Sequence, residues 1–519
     1  MPRLRGGRAK AGAALVLAAG ALVAGCGGDD AGSSGLASLV PPDVPFYAES
    51  VLRPEGDHAD AIESFAERVG GITDPGATVV AELDASFADG DLDLNYADDI
   101  EPWLGSRAGA FVSSFEEGGD TPDFAVMAEV EDADAASDFV QTLIEQSPDE
   151  AEQRTYEDTG YFVTGGFGVG VLDESALAFG SETGLKVAID AGDGESLAES
   201  DEYTERLHQL PDDPLVSFFF EPAAAIEASI MQGDVDPATA QVLEPLLGGA
   251  LSQPIAATLT ATADTASFEF AAMFDSATDF ATESSLLTEL PGESWFAAAV
   301  PDLGSSLEES LDQLSSSGLP GAGEIERQVM RATGLDLGED VFGWLGDAAA
   351  FVEGTAAPGF SAGLIAQTSD PEAPGPLLEV LRRIAERDSG LRSSGAPEGS
   401  DVGFSLGIPG IGGGAEAGVI GDQLVAVVGA TVDQALNPSE TLGDNPEFED
   451  AVASLGDDLA PALFVSLPEL FQVAELGGDG DVDYEAIRPY LDAFSTLVGG
   501  ARVEDGLTVA RITVSLADE

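Results

Sequence analysis

The amino-acid sequence predicts an α+β protein made of two tandem copies, each a largely antiparallel sheet packed with helices. Three observations carry this. Stretches that alternate apolar and polar residues, such as Phe124-Ala125-Val126-Met127-Ala128-Glu129-Val130, read as strands with one buried face. Stretches with apolar residues at i, i+3, i+4 and i+7, such as Ile62, Phe65, Ala66 and Val69, read as amphipathic helices. The two kinds follow one another in no regular βαβ alternation, and the whole series occurs twice.

In chain order, the first element is a leader over residues 1–25. Arg3, Arg5, Arg8 and Lys10 precede an apolar run from Ala11 to Ala24, the layout of an export signal. The run is shorter than the roughly 20 residues a membrane-spanning helix needs. The residues Leu22, Val23, Ala24 and Gly25 before Cys26 resemble the bacterial lipobox, which implies cleavage before Cys26 and a lipid on its sulfur. Cys26 is the sole cysteine of 519 residues, so the chain forms no internal disulfide. Residues 26–38, rich in Gly, Asp and Ser, read as a flexible linker after the lipidated cysteine. The expected location is the extracytoplasmic face of a cell membrane, with the body tethered by acyl chains alone.

The body divides into copy one, residues 39–279, and copy two, residues 280–519. Pro42-Asp43-Val44-Pro45-Phe46-Tyr47-Ala48 returns as Pro291-Gly292-Glu293-Ser294-Trp295-Phe296-Ala297, each leading into a strand. Asp99-Ile100-Glu101-Pro102-Trp103-Leu104-Gly105, followed by Ala110-Phe111-Val112, returns as Asp340-Val341-Phe342-Gly343-Trp344-Leu345-Gly346, followed by Ala350-Phe351-Val352. A large aromatic at one place in both copies reads as core, so both tryptophans are expected to be buried. The helical positions Ala136, Phe139, Val140 and Leu143 answer Leu377, Val380, Leu381 and Ile384. Later come Asp201-Glu202-Tyr203 against Pro446-Glu447-Phe448, and Asp212-Asp213 against Asp457-Asp458. Gly233-Asp234-Val235-Asp236 matches Gly480-Asp481-Val482-Asp483 at helix starts, and each copy ends on a hairpin, Ile255 to Met273 and Ala501 to Ser515. Asp132 and Asp134 stand where a helix begins, as the helix dipole favours.

The strand lead-in after the lipobox and the segment Asp99 to Gly105 resemble an uncharacterised family of bacterial secreted domains of unknown function. The resemblance covers most of the chain after the leader and implies no activity. Copy two departs from the motif, with Gly343 in the place of Pro102.

Charge and composition exclude several functions. The formal charge is −77, and removing the four basic residues of the leader takes it to −81. Nucleic acid needs clustered Lys and Arg, and Lys186 is the only lysine after the leader. Partners chosen by charge are cationic or metal-bearing. At 44% apolar residues with 26 Phe the chain still has enough apolar surface for a core.

No motif yields a reaction. Gly359-Phe360-Ser361-Ala362-Gly363 fits the spacing of a nucleophile elbow, but the only histidines, His58 and His208, precede it, whereas that fold places its histidine after the serine. Ser361 therefore reads as a strand residue, aligned with Ala125 of copy one. His58, at a helix start, reads as solvated. The two histidines form no metal cluster. Gly410-Ile411-Gly412-Gly413-Gly414 lacks the Lys-Ser/Thr of a phosphate loop. Asp479 to Glu485 supplies alternating carboxylates, but Tyr484 and Tyr490 replace the Gly and Glu of a calcium loop, which leaves helix capping by Asp483 and Asp236 as the reading. No catalytic, cofactor-binding or metal residue is assigned. The expected function is a non-enzymatic binding or interaction protein of the envelope, its partner an envelope protein or a hydrophobic ligand. Alternatives are a carboxylate-dependent hydrolase of envelope polymers and a structural acidic protein that binds divalent cations diffusely.

Overall fold

The computed structural model describes residues 35–90, 92–114, 122–147, 150–224, 226, 253–273, 284–316, 325–356, 359–389, 393–408, 414–477, 484–504 and 506–517. The leader, Cys26 with its lipobox, and the segments at 233–236, 410–413 and 479–483 lie outside the described residues, as does the expected boundary at 279/280. The described residues form two compact units that divide between Ala272 and Met273.

Unit 1 holds β1 (Phe46–Val51), β2 (Leu104–Ser114), β3 (Asp123–Val130), β4 (Glu152–Tyr156), β5 (Thr159–Thr164), β6 (Phe167–Leu172), β7 (Ala176–Ser181), β8 (Val216–Phe220), β9 (Ile255–Ala261) and β10 (Thr265–Ala272). They pair antiparallel in the order β4-β5-β6-β7-β3-β2-β1-β8-β9-β10. Its helices are α1 (Gly56–Gly70), α2 (Pro75–Asp89), α3 (Ala133–Gln146), α4 (Glu182–Asp193) and α5 (Asp201–Leu207).

Unit 2 repeats the arrangement. Its strands are β11 (Ser294–Val300), β12 (Leu345–Glu353), β13 (Ser361–Thr368), β14 (Ser393–Ser394), β15 (Val402–Leu406), β16 (Ala415–Ile420), β17 (Gln423–Val428), β18 (Ala460–Ser466), β19 (Phe494–Glu504) and β20 (Leu507–Leu516). They run antiparallel in the order β14-β15-β16-β17-β13-β12-β11-β18-β19-β20, the order of unit 1 strand for strand. Its helices are α6 (Ser285–Glu289), α7 (Leu303–Ser316), α8 (Ile325–Thr333), α9 (Leu337–Asp340), α10 (Gly375–Ser389), α11 (Val432–Leu436), α12 (Pro446–Leu455), α13 (Leu467–Gly477) and α14 (Tyr484–Leu491). The α+β class with antiparallel sheets is thus the observed one.

Local chemistry explains the boundaries. Asp132 caps α3 by accepting from the Ala135 N–H, Asp74 caps α2 from the Ala77 N–H with Pro75 in its first turn, and Gly71 closes α1 at φ 66°. In unit 1 Trp103, Ile100, Leu104, Val130, Val140 and Leu143 share one buried cluster with Leu83 and Phe87 of α2. In unit 2 Phe351, Val425, Val427, Phe448, Phe464 and Val498 pack together.

Four expectations change. Residues 35–38, expected in the linker, belong with Leu39 to a 3-10 turn whose Leu36, Ala37 and Leu39 are buried. On α10 the buried residues are Leu378 and Val380, while Leu381 and Ile384 stay mostly exposed, because the helix is apolar on more than one face. The strand lead-ins match one residue further on than their sequences suggest. Phe46 faces Val112 and Phe296 faces Val352, so Phe46 corresponds to Phe296 and not to Trp295; a register shift between Ser294 and Phe296 takes up the difference. Ser361 corresponds to Asp123, since Val112 faces Phe124 where Val352 faces Ala362, and not to Ala125.

Candidate functional site

The segments that lead to Trp103 and Trp344 differ locally, a π-helical turn at Tyr96–Ile100 against an α-helical turn at Leu337–Asp340 with a 3-10 turn at Phe342–Trp344, yet they place their indoles alike. Each indole is buried, at 2% and 4% exposure, and each Nε1 donates to a carbonyl four residues back, of Asp99 and of Asp340, both at 2.7 Å. Both tryptophans are core, as their recurrence predicts, and neither offers a face to a ligand.

Two clefts in unit 2 have room for one. The first, of about 570 Å³, opens at the ends of β12 and β13 and is lined by Glu293, Phe351, Glu353, Ser361, Gln434 and Asn437 among others. Its volume is that of a small-molecule site. Ser361, only 6% exposed, donates to Glu353 Oε2 at 2.6 Å. The hydroxyl therefore meets a carboxylate on a strand, in a unit that contains neither histidine of the chain. The second cleft, of about 490 Å³, lies between α13 and α14, with Glu469, Phe471, Glu475, Tyr484 and Arg488 in its wall; Arg488 bonds Glu475 at 2.5 Å.

Beside this second cleft two carboxylates converge. Ser466 Oγ lies 3.0 Å from Glu447 Oε1 and 2.6 Å from Glu469 Oε2. Partial burial, with Glu469 adding like charge, pushes the Glu447 carboxyl above its ordinary range, against the opposing hydrogen bond from Ser466. In unit 1 Glu221 is pushed the same way by burial and by Glu202 and Asp43.

Unit 1 has polar networks that sequence spacing conceals. Glu182 accepts from Lys186 Nζ at 2.8 Å and from Tyr161 OH at 3.1 Å, and pairs with Arg154. The hydrogen bond from Lys186, then that from Arg154, hold its carboxyl down at about 2. A second network starts at Glu49, which is 5% exposed, accepts from Tyr47 OH at 2.6 Å and pairs with Arg107 at 3.2 Å. Arg107 continues to Asp213 at 3.6 Å, whose carbonyl oxygen lies 3.2 Å from His58 Nε2. His58 is consequently mostly covered, with 16% of its side chain exposed, and not solvated. Partners 28 or 58 positions apart leave no signal in a linear pattern. Among the described residues no three His, Cys, Asp or Glu side chains converge as metal ligands, and no helix is long and apolar enough to cross a membrane.

No curated protein matches the chain. Among solved structures it is similar to crystal form I of TP0453, at 11% identity over 47% of this chain and 81% of that one, with a TM-score of 0.24. Crystal forms III and IV of the same protein align at 9% identity over 78% and 76% of this chain and 98% and 93% of theirs, each with a TM-score of 0.19. The family profile described as protein of unknown function DUF3352 matches residues 79–475, from α2 in unit 1 to α13 in unit 2, and the chain belongs to that family.

Proposed function

We propose that this protein is a lipid-anchored, extracytoplasmic binding protein whose body consists of two copies of one fold and acts without catalysis. The observation that carries the binding reading is the 570 Å³ cleft of unit 2. It combines the apolar Phe351 with the carboxylates of Glu293 and Glu353, and among the described residues no Lys, Arg or His lines it. Such a wall suits a ligand that is uncharged or cationic. The shared strand order of the two units supports the two-copy reading. Anchoring follows from the position of Cys26 directly after the apolar leader.

Fractionation of cells that express Cys26→Ala tests the anchor: the variant is expected to leave the membrane or to remain unprocessed. Retention at the membrane at normal mature size overturns it. Mass spectrometry of small molecules that co-purify with the wild type, but not with Glu353→Gln, tests the cleft.

A second reading, a carboxylate-dependent hydrolase of envelope polymers, is favoured by Glu447 and Glu469 alone. They supply one carboxyl that burial pushes above its ordinary range beside a second at the rim of a cleft. On this reading Glu447→Gln and Glu469→Gln each abolish release of fragments from purified envelope polymer.

A further inference from the structure

Two units of one strand order in one chain face a hazard in folding: the central strand of either one has a seat in the other. The registers show where the two seats differ. Tyr47 of β1 faces Phe111 and Phe219, and Ala297 of β11 faces Phe351 and Phe464, so these two positions correspond. By the same count Glu49 corresponds to Ala299 and Gly109 to Ala349. Counted back from Ala108 and Ala348, Asp347 takes the place of Arg107, β2 carrying one residue more between Leu104 and Ala108 than β12 does between Leu345 and Ala348.

The two seats are complementary to different strands. In unit 1 the Tyr47 ring lies over Gly109, where an added Cβ would stand 3.1 Å from the ring, a contact that the ring would have to relieve by a few tenths of an ångström. In unit 2 Ala297 pairs with Phe351, and the residue two places before Phe351 is Ala349, which does carry a Cβ. Charge differs in the same sense. Glu49 is buried against Arg107. In unit 2 the first position is Ala299 and the second is Asp347, whose carboxylate accepts from Ser284 Oγ at 2.8 Å and from the Asp302 N–H at 3.1 Å. Placing β1 in unit 2 would press Tyr47 onto the Ala349 methyl and set Glu49 beside Asp347 with no counter-ion. Placing β11 in unit 1 would set Ala299 where Glu49 stands and leave Arg107 with Asp213, at 3.6 Å, as its remaining carboxylate. Each arrangement loses what the native one has, a buried carboxylate its counter-ion in the first and Arg107 one of its two carboxylates in the second.

We propose that Tyr47–Gly109 with Glu49–Arg107, set against Ala297–Ala349 with Ala299–Asp347, form a pairing code that keeps the central strands of the two units from exchanging as the chain folds. The proposal rests on the two-copy reading, and its test separates the two. All chains carry Cys26→Ser, so that engineered cysteines are the only ones. The pairs Ala48→Cys with Ala110→Cys and Ala298→Cys with Ala350→Cys report native pairing in each unit, while Ala298→Cys with Ala110→Cys reports exchange. If either native pair fails to close in the otherwise unaltered chain, the matched registers fail, and the two-copy reading with them.

The code is erased by giving unit 1 the residues of unit 2: Tyr47→Ala, Glu49→Ala, Arg107→Asp and Gly109→Ala together. The reciprocal set is Ala297→Tyr, Ala299→Glu, Asp347→Arg and Ala349→Gly. After refolding from denaturant and oxidation, the unaltered chain should give no exchange product, and at least one erased chain should give about tenfold more than that background. In unit 2, Ala299→Glu alone should lower the refolded yield and Asp347→Arg added to it should restore that yield. Exchange product in the unaltered chain, purely native pairing in both erased chains, or failure of Asp347→Arg to rescue Ala299→Glu each overturn the proposal. Collapse of both erased chains to unfolded material also overturns it, since the four positions would then be serving packing within each unit and not discrimination between units.

Discussion

Truncating Trp103 to alanine removes an indole that is 2% exposed, that lies 5.3 Å from the Phe139 ring, and whose Nε1 donates to the Asp99 carbonyl. Two costs combine. Removing a buried large aromatic costs about 3 to 5 kcal/mol in lost transfer free energy and residual cavity. Leaving the Asp99 carbonyl without its donor adds about 1 kcal/mol or more where water cannot replace the indole. Trp103→Phe separates the two, since it keeps most of the packing and loses only the donor, so about 1 to 2 kcal/mol is expected. Guanidinium denaturation of the full chain, followed by far-UV circular dichroism, reads both values. Trp344→Ala should cost the same within about 1 kcal/mol, because its burial and its bond to the Asp340 carbonyl match. A loss below about 1 kcal/mol for Trp103→Ala, with cooperativity unchanged, would refute the core role, for no fully packed tryptophan is so dispensable.

Glu182, held near 2 against an ordinary 4.5, contributes stability that is fully present above the ordinary value. That contribution disappears as the pH falls from 4.5 towards 2, so Glu182→Gln should flatten the acid limb of the stability curve, as thermal melts across that window will show. Gly184→Ala should destabilise strongly, because its Cβ would stand 2.1 Å from the Phe124 carbonyl oxygen at the start of α4, whereas Gly160→Ala, with nothing within 4 Å, should be nearly neutral in the same melts.

The helices whose apolar stripe is narrow and regular were legible: α3 buries Ala136, Val140 and Leu143, as its spacing implies. On α10 spacing alone misleads, since Leu377, Leu378, Val380, Leu381 and Ile384 offer more than one apolar face, and only the neighbouring elements select Leu378 and Val380. Strands were recognisable by alternation, but alternation has a period of two and tolerates a slip. That is why Trp295 stood in for Phe296, and Ala125 for Asp123, until the pairing register decided.

The candidate site was less legible. The order of the histidines argued against a serine hydrolase at Ser361, but the sequence carried no sign that the hydroxyl bonds Glu353, or that Glu447 and Glu469 meet at Ser466. With 96 acidic residues, composition cannot rank one carboxylate above another.

By itself the sequence determined the α+β class, the burial of Trp103 and Trp344, and the large excess of acidic residues. These are properties of local periodicity and summed charge, which each stretch carries whatever its neighbours do. Only the tertiary structure decided that Glu49 meets Arg107 in one unit while Ala299 and Asp347 stand there in the other, that Glu182 gathers Arg154 and Lys186, and that His58 is covered. Such contacts depend on which strands become neighbours and in what register, and chain separation has no bearing on that once a sheet has closed.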